Sequence, residues 1–306
     1  MKLGFLTACF PTVPLPDIAA WAASAGFDAL EVAAWPRAGA RDFEAAHLDV
    51  AAMTADDAAQ VRALFAEHGL TLSAVAYYEN NLHHDEQRRR RIQEHLRRCV
   101  DAAVLLGCPL VGTFVGRDTA LSVAENLALG ERELPPLVEY AAERGIKIVV
   151  ENCPMEGWHP DGYPANLAYS PELWEWMFSL GLHLNFDPSH LVWLGIDPVT
   201  ALRPYVDRVL HVQAKDTELD LVARNRFGVF GRTRDKRDEW DTGWWRYRVP
   251  GRGQVDWRGV LDVLDEGGFD GVVSVEHEDP VWSGDDEKVK QGLGIAHTTL
   301  RPLVLP

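Results

Sequence analysis

The chain has 306 residues, 47% hydrophobic and 25% charged, with 30 Lys plus Arg against 46 Asp plus Glu. That length buries a sizeable core without disulfides, and the composition excludes a disordered chain. The net charge of -16 repels a phosphate backbone, so general nucleic-acid binding is disfavoured. No apolar run reaches the roughly 18 residues that a membrane span needs.

The N-terminal stretch, residues 1–10, carries one Lys, no long apolar core and no small-residue cleavage site. It reads as a first strand and not as a signal peptide. Cys9, Cys99, Cys108 and Cys153 are scattered without a C-x-x-C pair. Neither a disulfide framework nor a cysteine zinc site is expected, and a reducing, cytoplasmic location fits.

Short apolar runs follow at residues 3–7, 28–34, 72–78, 110–115, 146–152, 182–187, 209–215 and 272–276. Several are rich in Val and Ile without polar alternation, as in parallel strands covered on both faces. Helix patterns lie between them at 54–68, 85–106, 131–144 and 256–266, each with a Gly just beyond its end. Thr54 and Ser170-Pro171 supply start signals. Eight strands alternating with helices predict an α/β (β/α)8 TIM barrel, one domain over residues 1–306. A doubly wound sheet competes, but its first turn would be Gly-rich, and Thr7-Ala8-Cys9-Phe10-Pro11 is not. Residues 216–250 break the rhythm as a long charged insertion after the seventh strand, bearing Trp240, Trp244 and Trp245. A loop of that length is usually functional or disordered; its aromatics favour an ordered lid or a homo-oligomer contact, with a solvated excursion as the alternative.

Active sites of such barrels sit at the C-terminal strand ends. The fifth run ends in Glu151 and the sixth in Asp187. The seventh carries His211, Gln213 and Lys215, and the eighth ends in Glu276-His277-Glu278. Four consecutive strands ending in oxygen or nitrogen donors suit a hard divalent cation, Mn²⁺ or Mg²⁺. His211 and Gln213 lie on one strand face, so either could face such an ion; Gln213 is nearer the strand end and is preferred.

The chain resembles the sugar phosphate isomerase/epimerase family with its xylose isomerase-like barrel. The resemblance rests on five pieces in order: Val150-Glu151-Asn152, Asn185-Phe186-Asp187-Pro188-Ser189-His190-Leu191, Leu210-His211-Val212-Gln213-Ala214-Lys215-Asp216, Pro250-Gly251-Arg252-Gly253-Gln254-Val255-Asp256 and Ser274-Val275-Glu276-His277-Glu278. It implies one divalent metal held by Glu151, Asp187, Gln213 and Glu276. Most relatives carry His where Gln213 stands. The resemblance also implies Glu151 and Glu276 as the proton-transferring pair, one on each face of the substrate, with His190 and Arg252 binding substrate oxygens. Where some epimerases carry a further Glu, this chain has Gly157 beside Glu156.

The expected activity is therefore proton abstraction next to a carbonyl of a keto-sugar or sugar phosphate, giving isomerisation or epimerisation through an enediolate. A lyase or dehydratase on the same scaffold is the alternative, because the tryptophan-bearing insertion would suit a bulky leaving group. An abasic-site nuclease of this barrel type would need histidines at the early strand ends; Ala33-Ala34-Trp35 and Tyr77-Tyr78-Glu79 stand there. A barrel without activity is the remaining reading, and only Gln213 favours it. The expected partner is a small-molecule sugar, with neither nucleic acid nor membrane.

Overall fold

In the computed structural model, described over residues 1–37, 45–155, 164–237 and 241–304, the strands in chain order are β1 (Lys2–Leu6), β2 (Ala29–Ala33), β3 (Thr71–Asn80), β4 (Leu110–Phe114), β5 (Lys147–Glu151), β6 (His183–Phe186), β7 (Val209–Ala214), β8 (Asp216–Leu219), β9 (Trp245–Arg248) and β10 (Val272–Val275). Eight of them close a parallel barrel in the order β1-β10-β7-β6-β5-β4-β3-β2, while β8 and β9 pair apart as an antiparallel ribbon. The barrel strands coincide with the eight predicted runs to within two residues at each end. No described helix is long and apolar enough to cross a membrane.

The helices are α1 (Leu15–Ser24), α2 (Ala55–Glu67), α3 (Glu86–Leu106), α4 (Val123–Glu133), α5 (Pro135–Ala142), α6 (Pro171–Ser179), α7 (Pro188–Leu194), α8 (Pro198–Leu202), α9 (Leu221–Phe227), α10 (Trp257–Glu266) and α11 (Asp286–Leu300). Thr54 and Asp57 form a reciprocal capping box on α2, and Gly107 ends α3 in a left-handed conformation. The single helix expected over 131–144 is instead two. Proline has no N–H and fits only a first turn, so Pro135 starts α5, whereas α4 begins earlier, at the Ser122–Glu125 capping box.

The main apolar core lies between the strands and the helices around them. It includes Leu3, Phe5, Leu30, Val75, Leu96, Val111, Trp174, Leu184 and Val212. Burying each large side chain contributes roughly 1.5–3 kcal/mol. Polar residues are also buried on the strands, among them Glu31, Ser73, Asn185, His211, Gln213 and Ser274. They are the floor on which the site rests.

The two ends of the insertion are tied together by Asp216. Asp216 accepts hydrogen bonds from the backbone N–H of Thr217, Gly251 and Val255, each at 2.9 Å, and from the Trp257 indole at 3.3 Å. That wrap requires Gly253, where a Cβ would lie 2.2 Å from Asp216 Oδ1. The Lys215-Asp216 and Pro250-to-Asp256 motifs are thus two halves of one clasp. Trp240 lies outside the described residues.

Candidate active site

Glu151 ends β5, Asp187 follows β6 as the N-cap of α7, and Glu276 follows β10. Their carboxylate oxygens lie within 4.8 Å of one another, a cluster able to hold a metal ion. Two basic groups face it. His190 Nε2 is 2.9 Å from Glu151 and 3.1 Å from Asp187. Lys215, buried, donates to Glu276 at 2.7 Å and Glu278 at 3.0 Å, with Asp187 at 3.4 Å.

Burial raises the Glu151 carboxyl above the usual range. It pushes Glu276 higher still, helped by the neighbouring Glu151 charge. Burial also works to raise Asp187, but His190, Lys215 and the Ser189 N–H outweigh it and hold this carboxyl low. Lys215 is raised well above the ordinary lysine value: burial opposes its charge, and Glu276, Glu278 and Asp187 more than compensate.

The insertion supplies a wall whose innermost residue, Tyr247, no sequence pattern singles out. Tyr247 of β9 places its hydroxyl 2.9 Å from His190 Nδ1, and its ring lies 4.4 Å from the Lys215 ammonium. Behind it Trp245 stacks on Trp193 at 4.6 Å between ring centroids. Those two indoles cover each other and are nearly buried, so they are wall rather than open stacking surface. Tyr77 and Tyr78 of β3 and Phe114 of β4 are buried as well.

Gln213 and His211 part company. Both His211 ring nitrogens are engaged, Nδ1 with Asn185 at 3.0 Å and Nε2 with Ser73 at 3.1 Å. Gln213 donates its amide to Glu31, and its Oε1 is buried without a hydrogen-bond partner. Arg252 is exposed in the turn after β9, and among the described residues its guanidinium makes no hydrogen bond or ion pair with the cluster. Gly157 and Glu156 lie outside the described residues. Glu31 also escaped the sequence reading. A charge inside the apolar run Asp28-Ala29-Leu30-Glu31-Val32 was the available signal, since a strand covered on both faces holds a charge only when it is partnered.

A closed parallel barrel with carboxylates clustered at its C-terminal strand ends defines the class: a (β/α)8 barrel of the kind that carries its site at that mouth. Residues 19–298 match the xylose isomerase-like TIM barrel family, and the chain belongs to it. A stretch of 153 residues is 32% identical to the uncharacterized protein YfiH of Bacillus subtilis (strain 168), covering 48% of this chain and 45% of that one. Another of 97 residues is 31% identical to inosose dehydratase of Clostridium beijerinckii, covering 32% and 30%. The matched stretches thus span less than half the length of these curated relatives. The solved structure of D-psicose 3-epimerase in the presence of D-fructose superposes with a TM-score of 0.70 at 16% identity, over 99% of both chains. That likeness is one of fold.

Proposed function

We propose that the protein is a divalent-metal-dependent isomerase or epimerase of a keto-sugar or sugar phosphate, acting by proton transfer through an enediolate. The observation that carries this is the convergence of Glu151, Asp187 and Glu276, with the unpartnered Gln213 Oε1 on the neighbouring strand. This all-oxygen donor set fits Mn²⁺ or Mg²⁺ better than a soft ion. Such an ion, when bound, polarises the substrate carbonyl and stabilises developing negative charge.

The chain's own residues do the rest. Glu151 is held at Oε1 by His190 and is the base for the α-proton. His190 is in turn fixed at Nδ1 by Tyr247, so the base has one orientation. Glu276, tied to Lys215, returns a proton from the other side. The buried walls exclude water while the carbanion exists. Glu151→Gln and Glu276→Gln should each lower substrate α-hydrogen exchange in D₂O by at least about 100-fold. Exchange at the wild-type rate in either variant removes that residue from its role.

Lys215 favours a second reading, a dehydratase. An ammonium held between Glu276 and Glu278 stabilises the charge that develops on a departing β-hydroxyl, to which the raised carboxyl of Glu276 gives the proton. The partial likeness to inosose dehydratase supports it. Incubation with a keto-inositol, followed by ultraviolet absorption of an enone product, separates the two readings.

A further inference from the structure

A buried chain of hydrogen bonds crosses the barrel beneath the carboxylate cluster and ends on one residue, Glu31. Ser73 Oγ lies 3.1 Å from His211 Nε2, and His211 Nδ1 lies 3.0 Å from Asn185 Oδ1. Asn185 Nδ2 donates to the Tyr78 hydroxyl at 2.8 Å, and that hydroxyl donates to Glu31 Oε1. Ser274 Oγ donates to Glu31 Oε2 at 2.9 Å, and Gln213 Nε2 reaches the same carboxylate at 3.3 and 3.5 Å. Glu31, Asn185, His211, Gln213 and Ser274 are fully buried, and Ser73 and Tyr78 nearly so.

The direction of this chain follows from chemistry. A carboxylate only accepts, so every group around Glu31 must turn a donor toward it. The Tyr78 O–H is then committed to Glu31, and its oxygen accepts from the Asn185 amide. The Asn185 carbonyl must accept from His211 Nδ1–H, which leaves Nε2 to accept from Ser73. His211 is thereby locked in one tautomer with both nitrogens used. For Gln213 the consequence is opposite. Its amide nitrogen is drawn to Glu31, so its oxygen turns away and stays buried without a hydrogen-bond partner. Lys215, two residues further on and just past the end of β7, reaches the carboxylate cluster.

We infer that Glu31 is a positioning residue: it holds the Gln213 side chain so that Oε1, and not the NH₂ group, is presented to a divalent cation held by Glu151, Asp187 and Glu276. The inference rests on the metal-dependent reading above. An NH₂ group cannot ligate a cation, so an unrestrained amide would spend part of its time in a non-binding orientation. The carboxylate removes that ambiguity, as outer partners of metal ligands commonly do.

The test is Mn²⁺ binding by calorimetry, with the electron paramagnetic resonance of free Mn²⁺ as a second readout. Four full-length proteins are compared: wild type, Glu31→Gln, Gln213→Ala and the double variant. Wild type should bind one Mn²⁺, and E31Q should bind it about 10- to 100-fold more weakly. In the Q213A background the Glu31 change should cost nothing further, because the group it positions is gone. Absence of Mn²⁺ binding by wild type overturns the metal reading itself. Wild-type affinity in E31Q, or the same loss with and without Gln213, overturns the positioning role and leaves the metal reading standing. If E31Q does not fold, a crystal structure of the wild-type protein with Mn²⁺ decides. Gln213 Oε1 on the ion with Nε2 on Glu31 supports the inference, and a Gln213 side chain off the ion overturns it.

Discussion

Tyr78 shows how one side chain can depend on an absence elsewhere. Its ring lies buried beside Phe114, and its hydroxyl reaches Glu31. Burial and the Glu31 charge push the Tyr78 phenol well above its ordinary value, so it remains a donor at any physiological pH. The space for that hydroxyl comes from Gly112 on β4, where a Cβ would lie 2.5 Å from the Tyr78 oxygen. Gly112→Ala should therefore displace Tyr78 and cost roughly 1–3 kcal/mol through overpacking. The midpoint of urea unfolding should fall with little change in slope. An unmoved midpoint would mean that Tyr78 can swing aside freely. Little of this was legible in the sequence. Glu151, Asp187 and Glu276 could be named because strand ends are readable from apolar runs. A contact such as Tyr78 to Glu31 joins residues 47 apart on the neighbouring strands β3 and β2, and no local pattern encodes it.

The elements follow the same division. The barrel strands were readable because each is a short apolar run bounded by turn residues. The ribbon of β8 and β9 was not, because its strands are charged and pair across some 25 intervening residues. Register alone brings Tyr247 opposite Thr217, and so over His190. Between the two strands, Asp241 anchors the loop. Its carboxylate accepts from the Arg237 guanidinium at 2.9 Å, and Arg232 lies 3.4 Å away. The Arg237 bonds hold the Asp241 carboxyl down to about 2 from an ordinary 3.8. A carboxyl lowered in the folded state stabilises above its unfolded value, and the contribution is lost as pH falls from about 4 toward 2. The insertion should therefore loosen in that window before the barrel does. At neutral pH Asp241→Asn should reproduce the effect, as faster hydrogen exchange at residues 228–237 with unchanged exchange in β4 and β5. Uniform acceleration across the barrel would show instead that the anchor is not local.

At the scale of the whole molecule, the carboxylate cluster is a cross-strand device. Glu151, Asp187, Gln213 and Glu276 belong to β5, β6, β7 and β10 or their ends, which are four consecutive staves of the ring. Three carboxylates gathered there repel one another, and the protein offsets this with His190 and with Lys215, whose ammonium sits among Asp187, Glu276 and Glu278. Removing one partner of a buried charge cluster costs about 3–5 kcal/mol, because the remaining charges stay desolvated and unpaired. Lys215→Met should accordingly lower the melting temperature of chelator-treated protein by several degrees. A divalent ion would supply the missing positive charge, and at 100 times its dissociation constant it stabilises the folded state by about 2.7 kcal/mol. Mn²⁺ should then raise the melting temperature of K215M by more than it raises that of wild type, while Glu151→Gln, lacking a ligand, should show little rise. A shift in K215M as small as in E151Q would place Lys215 inside the metal-bound arrangement, as a group the ion needs rather than one it can replace.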